Sequence, residues 1–174
     1  MTIRIAVIGT GIMGTDHARI VANDLPNAQL QVVCDASAQR ARTVADECGA
    51  QDVSTDPLAT IARADVDAVI IASPDDTHAA LSLAALELGK PVLCEKPLAP
   101  SPAECLKLIE AEVRAGRQFI QLGFMRRFDP SYREMKAALS EGLLGQALMM
   151  HNFPQCICTR QFHRSNGDYQ FRPA

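Results

Sequence analysis

Ile3-Arg4-Ile5-Ala6-Val7-Ile8-Gly9-Thr10-Gly11-Ile12-Met13-Gly14 is the stretch on which the reading of this chain turns. Ile3 to Ile8 is short, apolar and rich in β-branched residues, and it ends at glycine, which predicts a buried parallel strand. Gly9, Gly11 and Gly14 fit the spacing GxGxxG, a weak pattern by itself. Here it leaves a strand and opens a helix expected over Ile12 to Asn23 and stopped near Pro26, the context in which the pattern has a mechanism. Gly9 then permits a tight turn, Gly11 lets backbone approach a pyrophosphate, and Gly14 lets the helix pack close to the strand. Unpaired N–H groups and the positive end of the helix dipole would face the phosphates. Gly9, Thr10, Gly11, Ile12, Met13 and Gly14 are therefore the first candidate cofactor-binding residues.

Leu30 to Cys34 is a second apolar run, ending at Asp35, and Ser37 is placed to cap a helix that ends near Gly49. Asp35 stands 21 residues after Gly14, at the tip of the second strand. A carboxylate there accepts hydrogen bonds from both hydroxyls of an adenosine ribose and repels a 2′-phosphate, so NAD is expected and NADP is disfavoured. Arg40, five residues on, keeps dual cofactor use open. The alternative is a plain turn followed by a solvated carboxylate, which leaves the register of strand, glycines, helix and acid as coincidence.

The alternation continues along the chain. A short strand near Asp52-Val53, a helical turn after Pro57 and a strong strand over Asp67 to Ala72 are followed by a helix from Pro74 to about Leu88. Pro91 to Cys94 and Phe119 to Leu122 are further strands, separated by a helix that Ser101 caps and that runs to about Ala115. Parallel neighbours need crossover connections, and the crossover helices pack on the sheet. The fold class is accordingly α/β, a doubly wound parallel sheet of the NAD(P)-binding Rossmann kind.

Two further segments leave the carboxyl edge of that sheet, where ligands bind in such folds. Ser73-Pro74 follows the strong strand, and Ser73 is placed to reach a cofactor ribose or phosphate, although Ser-Pro also serves simply as a strand-to-helix turn. His78 falls in the first turn of the next helix, as a cofactor contact or as a surface or capping residue. Glu95-Lys96-Pro97 follows the strand ending at Cys94. A lysine there can bind a substrate hydroxyl and, with its pKa lowered by partial burial or a cationic neighbour, take part in proton transfer.

GTGIMG, ASPDDTH and EKP, in this order and spacing, resemble the Gfo/Idh/MocA oxidoreductases, NAD(P)-dependent dehydrogenases of sugars and polyols. Gly123-Phe124-Met125-Arg126-Arg127-Phe128-Asp129 is similar to a run in the inositol 2-dehydrogenase branch. The resemblance covers about Ile3 to Phe153. It implies that Lys96 is catalytic and contacts the hydroxyl being oxidised, that Glu95 helps arrange the cofactor site, and that Met125 and Arg126 line a substrate pocket. For Arg126 a surface salt bridge is the competing role. The resemblance also implies a second domain for substrate binding and homo-oligomer assembly, whose early helix carries an Asp and a His. Neither is found in this chain.

The 174 residues carry a net charge of -3, which excludes the clustered cations that nucleic-acid binding needs. Six cysteines, Cys34, Cys48, Cys94, Cys105, Cys156 and Cys158, show no pairing rhythm, and free thiols in a reducing cytoplasm are expected. No membrane span or signal peptide is legible. Residues 1–123 are read as the dinucleotide domain and 124–153 as the start of the second domain, with a helix over Pro130 to Ser140 and a strand over Ala147 to Phe153. Residues 154–174 lack periodicity and hold three arginines to one acid, which suggests an aberrant, frameshifted end on a truncated dehydrogenase. Cys156, Cys158 and His163 do not match structural-zinc spacing, so no metal is expected. The competing reading is a fragment that binds NAD without turnover.

Overall fold

Side chains alternate across a strand, and in this chain both faces of the alternation are apolar. Ala6 and Ile8 point to one side and Val7 to the other. Val32 and Cys34 oppose Val33 in the same way, and Val69 and Ile71 oppose Ile70. Such strands are buried only when helices cover both faces of the sheet. The computed structural model describes residues 2–143 and 145–146, together with the backbone of 164–165 and 168–169.

The strands are β1 (Ile3–Ile8), β2 (Ala28–Cys34), β3 (Asp52–Ser54), β4 (Ala68–Ile71), β5 (Val92–Cys94) and β6 (Ile120–Leu122). All pairings among them are parallel, in the order β3-β2-β1-β4-β5-β6. Connecting them are α1 (Ile12–Asn23), α2 (Ala38–Cys48), α3 (Pro57–Ala62), α4 (His78–Glu87) and α5 (Pro102–Ala115). Ala18 and Val21 of α1, with Ala41, Val44 and Ala45 of α2, close one core layer over Val7, Val33 and Ile70. Ile61 of α3, Leu81, Ala85 and Leu86 of α4, and Leu108 and Ala111 of α5 close the other. The connections run outward from β1 through β2 to β3, then return to the opposite flank of β1. Loops from β1 and β4 therefore part at the carboxyl edge and leave a crevice.

Capping follows the chemistry of the residues before each helix. The Arg40 N–H donates to Ser37 Oγ, Ala59 N–H to Asp56, and Glu104 N–H to Ser101 Oγ. Ser101 in turn donates to Glu104 Oε2 at 2.6 Å, a reciprocal capping box. Helix α1 begins at Gly11 with no side-chain cap.

Several boundaries differ from expectation. Strand β2 begins at Ala28, two residues early, because β1 pairs with it from Ile3↔Ala28 onward. The segment after Pro74 opens as a 3-10 turn over Asp75–Thr77 before α4 begins. Residues 124–129 contain a 3-10 turn over Met125–Arg127, closed by the Arg127 and Phe128 amides on the carbonyls of Phe124 and Met125.

The chain divides into two compact units, Met1–Phe128 and Asp129–Ala174. The second contains α6 (Pro130–Ser140), with Pro130 at its start and Asp129 as its cap, and two short antiparallel strands, β7 (Arg164–Ser165) and β8 (Asp168–Tyr169). The strand expected over Ala147 to Phe153, and Cys156, Cys158 and His163, lie outside the described residues. Cys34, Cys48, Cys94 and Cys105 are free thiols. No helix among the described residues is long and apolar enough to cross a membrane.

Ile71 is fully buried in β4, whereas Leu106 on α5 is 58% exposed. Ile71→Ala is expected to cost roughly 2–5 kcal/mol in urea denaturation, and Leu106→Ala less than about 0.5 kcal/mol.

Candidate functional site

The glycine turn stands at the crevice, and each of its three glycines answers a different demand. Gly9 has φ +92°, and a Cβ there would lie 2.5 Å from the Ala72 carbonyl oxygen and the Ser73 nitrogen. A Cβ at Gly14 would be driven into the carbonyl oxygen of Gly9. Both glycines are thus required by the protein's own packing. Gly11 is different: its φ of −68° suits any residue, and a Cβ would meet nothing within 4 Å. Its missing side chain leaves an open cradle beside an uncapped helix end, and this combination fits a phosphate group. Ile12, next to it, is 84% exposed, and Met13 is partly so.

Asp35, at the end of β2, is buried and accepts four hydrogen bonds. Oδ2 accepts from the Thr10 N–H at 2.8 Å and the Thr10 hydroxyl at 2.6 Å. Oδ1 accepts from the Ser37 N–H at 2.8 Å and from Arg40 Nη2 at 2.6 Å. Burial pushes its pKa up, but the hydrogen bonds from Thr10, Ser37 and Arg40 outweigh that and bring it down to about 2. The carboxylate borders a cavity of about 510 Å³ with apolar walls that include Ile8, Pro57, Leu58 and Leu81. That size and lining suit a flat heteroaromatic group with a polar attachment. Ser73 and Pro74 line the same cavity from the β4 side. Thr77 donates to the Pro74 carbonyl at 2.7 Å and meets Ser73 Oγ at 2.6 Å, which fixes the Ser73 hydroxyl.

His78 is placed otherwise than expected. It is 1% exposed, with Nδ1 2.6 Å from the Pro97 carbonyl and Nε2 2.9 Å from the Ser73 carbonyl. Both ring nitrogens are occupied by backbone, so His78 ties the β4 loop to the loop after β5 and offers no edge to a cofactor. The sequence signal that misled is position: the helix expected from Pro74 is preceded by a 3-10 turn over Asp75–Thr77, and His78 is the first residue of α4 and buried.

Glu95 is nearly buried, and its Oε1 accepts a 2.9 Å hydrogen bond from His17 Nε2–H. A Cβ at Gly123 would come within 3.1 Å of that oxygen, so Gly123 makes room for the carboxylate. His17 was absent from the sequence reading. The available signal was its helical spacing, three residues after Gly14 and one before buried Ala18, which puts it on the sheet-facing side of α1. Lys96 follows Glu95 and is exposed; the partial burial expected for it is not supplied by the described residues. Lys96 and Pro97 are joined by a cis peptide bond. Met125 is half exposed and Arg126 exposed, both in the 3-10 turn after β6. No group of three or more His, Cys, Asp or Glu residues that could hold a metal ion occurs among the described residues.

Comparison with known proteins adds to this geometry. The profile of the oxidoreductase family with an NAD-binding Rossmann fold, Gfo/Idh/MocA, matches residues 3–124. Inositol 2-dehydrogenase 1 of Saccharopolyspora erythraea is 50% identical over 152 residues, covering 87% of this chain and 45% of that protein. The inositol 2-dehydrogenase of Rhodococcus erythropolis is 46% identical, covering 86% of this chain and 43% of that protein. Among solved structures, scyllo-inositol dehydrogenase from Lactobacillus casei with bound NAD(H) and scyllo-inositol superposes with a TM-score of 0.79 at 34% identity, covering 83% of this chain and 43% of that one. The chain spans less than half the length of these relatives.

Two outcomes follow from the hydrogen bonding. His78→Ala removes the imidazole N–H that one of the Ser73 and Pro97 carbonyls accepts, at roughly 0.5–1.5 kcal/mol for the lost hydrogen bond, and a lowered urea midpoint checks it. Asp35 has a depressed pKa in the folded chain, so its stabilisation is complete above its ordinary value of 3.8 and is lost as pH falls toward about 2. The stability gap between the wild type and Asp35→Asn is expected to be on the order of 2 kcal/mol at neutral pH and to close in that acid window.

Proposed function

The chain belongs to the Gfo/Idh/MocA oxidoreductases with an NAD-binding Rossmann fold, and on that premise we propose that it binds NAD for hydride exchange with a cyclic polyol or sugar of the inositol class. The observation that carries the reading is a convergence at one crevice. An open Gly11, an uncapped α1 and the fixed carboxylate of Asp35 stand on one flank, with Lys96 leaving the same sheet edge on the other. The similarity to inositol 2-dehydrogenases supports the substrate class.

In this proposal the backbone from Gly9 to Gly14 binds the pyrophosphate, with Ile12 and Met13 along its edge. Asp35 orients the adenosine ribose, and Ser73 and Pro74 bound the adenine cavity. The nicotinamide of bound NAD supplies the hydride acceptor. Glu95, held by His17, shapes the floor next to it. Lys96 contacts the substrate hydroxyl and takes part in moving its proton, and Met125 and Arg126 face the polyol. Residues 1–123 form the dinucleotide domain, and 124–153 begin a domain that binds substrate and assembles homo-oligomers, followed by an unrelated tail. Free thiols suit a reducing compartment, and we assign the protein to the cytoplasm.

The competing reading is a dinucleotide-binding unit without turnover. Titrating NAD fluorimetrically with and without myo-inositol separates the two, since the second gives saturation and no reduced nicotinamide.

Calorimetric titration of the folded chain with NAD should register binding. Gly11→Ala should weaken it at least about tenfold by intruding on the cradle, with little change in melting temperature because no protein atom is displaced. A folded wild type giving neither heat nor thermal protection with saturating NAD would overturn the proposal.

A further inference from the structure

Helix α3 is six residues long, too short to hold its own shape, so its position is set by what grips its two ends. At the start, the Asp56 carboxylate accepts from the Ala59 N–H at 2.9 Å, and the Thr60 hydroxyl donates to the Asp56 carbonyl at 2.7 Å. At the other end the last carbonyls lack partners within the helix. The half-buried ammonium of Lys90 serves that end, donating to the carbonyls of Ile61 and Arg63 at 2.6 Å each. Burial pulls its pKa down, and the carboxylates of Asp67 and Asp65 oppose that pull. Lys90 itself stands just past α4, its N–H donating to the Ala85 carbonyl at 2.9 Å. One side chain thus bolts the far end of α3 to the far end of α4.

The near ends of the same two helices wall the cavity that Asp35 borders. Pro57 and Leu58 open α3, Ala80 and Leu81 lie in the first turn of α4, and all four line that cavity. Resting on the NAD-binding reading above, we propose that Lys90 is a positioning residue for the adenine of the cofactor: from the opposite edge of the sheet it fixes the spacing of α3 and α4, and with it the width of the slot the base enters. Leu58 and Ile61 are less than one helical turn apart. A shift at the bolt therefore passes directly to the wall. Lys90 touches no ligand in this arrangement; it acts through the backbone of α3.

The test is calorimetric titration of the full chain with NAD, AMP and nicotinamide mononucleotide. It compares the wild type with Lys90→Met, which keeps the aliphatic stem, with Lys90→Arg, which restores a cation, and with Lys107→Met, an exposed control on α5. Lys90→Met should weaken NAD and AMP about tenfold and leave nicotinamide mononucleotide unchanged. Lys90→Arg should recover most of that loss, and Lys107→Met should change none of the three. Lost stability alone lowers the melting temperature without separating the two halves of the cofactor, so the split between AMP and nicotinamide mononucleotide decides. Coupling is also reciprocal. In the wild type, saturating AMP should slow amide exchange at Thr60 and Arg63 and nicotinamide mononucleotide should not, a measurement that needs no variant to fold. A wild type that binds NAD, beside a folded Lys90→Met that keeps full AMP affinity or weakens both halves equally, would overturn the role of Lys90 and leave the NAD-binding reading intact. Unchanged exchange at those amides has the same consequence. A folded wild type that binds no dinucleotide removes both.

Discussion

Two hydrogen bonds from Thr10 to one oxygen of Asp35 hold the site together. They join the turn after β1 to the end of β2, two segments 25 residues apart in sequence. Because Thr10 lies between Gly9 and Gly11, fixing it fixes the direction in which the Gly11 face and the start of α1 open. Gly9 is locked from the other side, against the backbone of Ala72 and Ser73 at the end of β4. The glycine turn is therefore clamped between its two neighbouring strands. A phosphate-binding loop needs this rigidity, since amides that had to be ordered on binding would spend affinity on conformational entropy.

The other flank of the crevice is organised on the same principle with different residues. Lys96 is bracketed by two anchored neighbours: His17 on α1 holds Glu95, and His78 on α4 holds the carbonyl of Pro97. One histidine belongs to the helix that follows the glycine turn, so the glycine-turn side and the lysine side of the crevice share a structural member. Gly123 leaves the space into which Glu95 fits. An exposed lysine on an anchored loop is suited to meeting a ligand group that arrives from outside the Rossmann unit.

The strand pattern was legible because parallel strands buried on both faces read as continuous apolar runs, and the glycine spacing and Asp35 mark the turn and the strand end by local chemistry alone. β1, α1 and α6 have the boundaries that periodicity and caps predict. The starts of β2 and α4 were less legible. A strand's length depends on which partner residues it finds, and a 3-10 turn after proline depends on bonds such as that from Thr77 to the Pro74 carbonyl.

By itself, the sequence determined the alternation of strands and helices, the family, and the residues that stand at the carboxyl edge, because those follow from period, turn chemistry and motif spacing within short windows. Tertiary structure alone decided what those residues do to one another. It put His17 against Glu95 across 78 positions, turned His78 inward to bridge two backbone carbonyls, and set Arg40 on the carboxylate that would receive the ribose. The physical reason is that hydrogen-bond partners are chosen by distance and direction in space, and strand order, which brings distant segments to one edge, is not written in any local window.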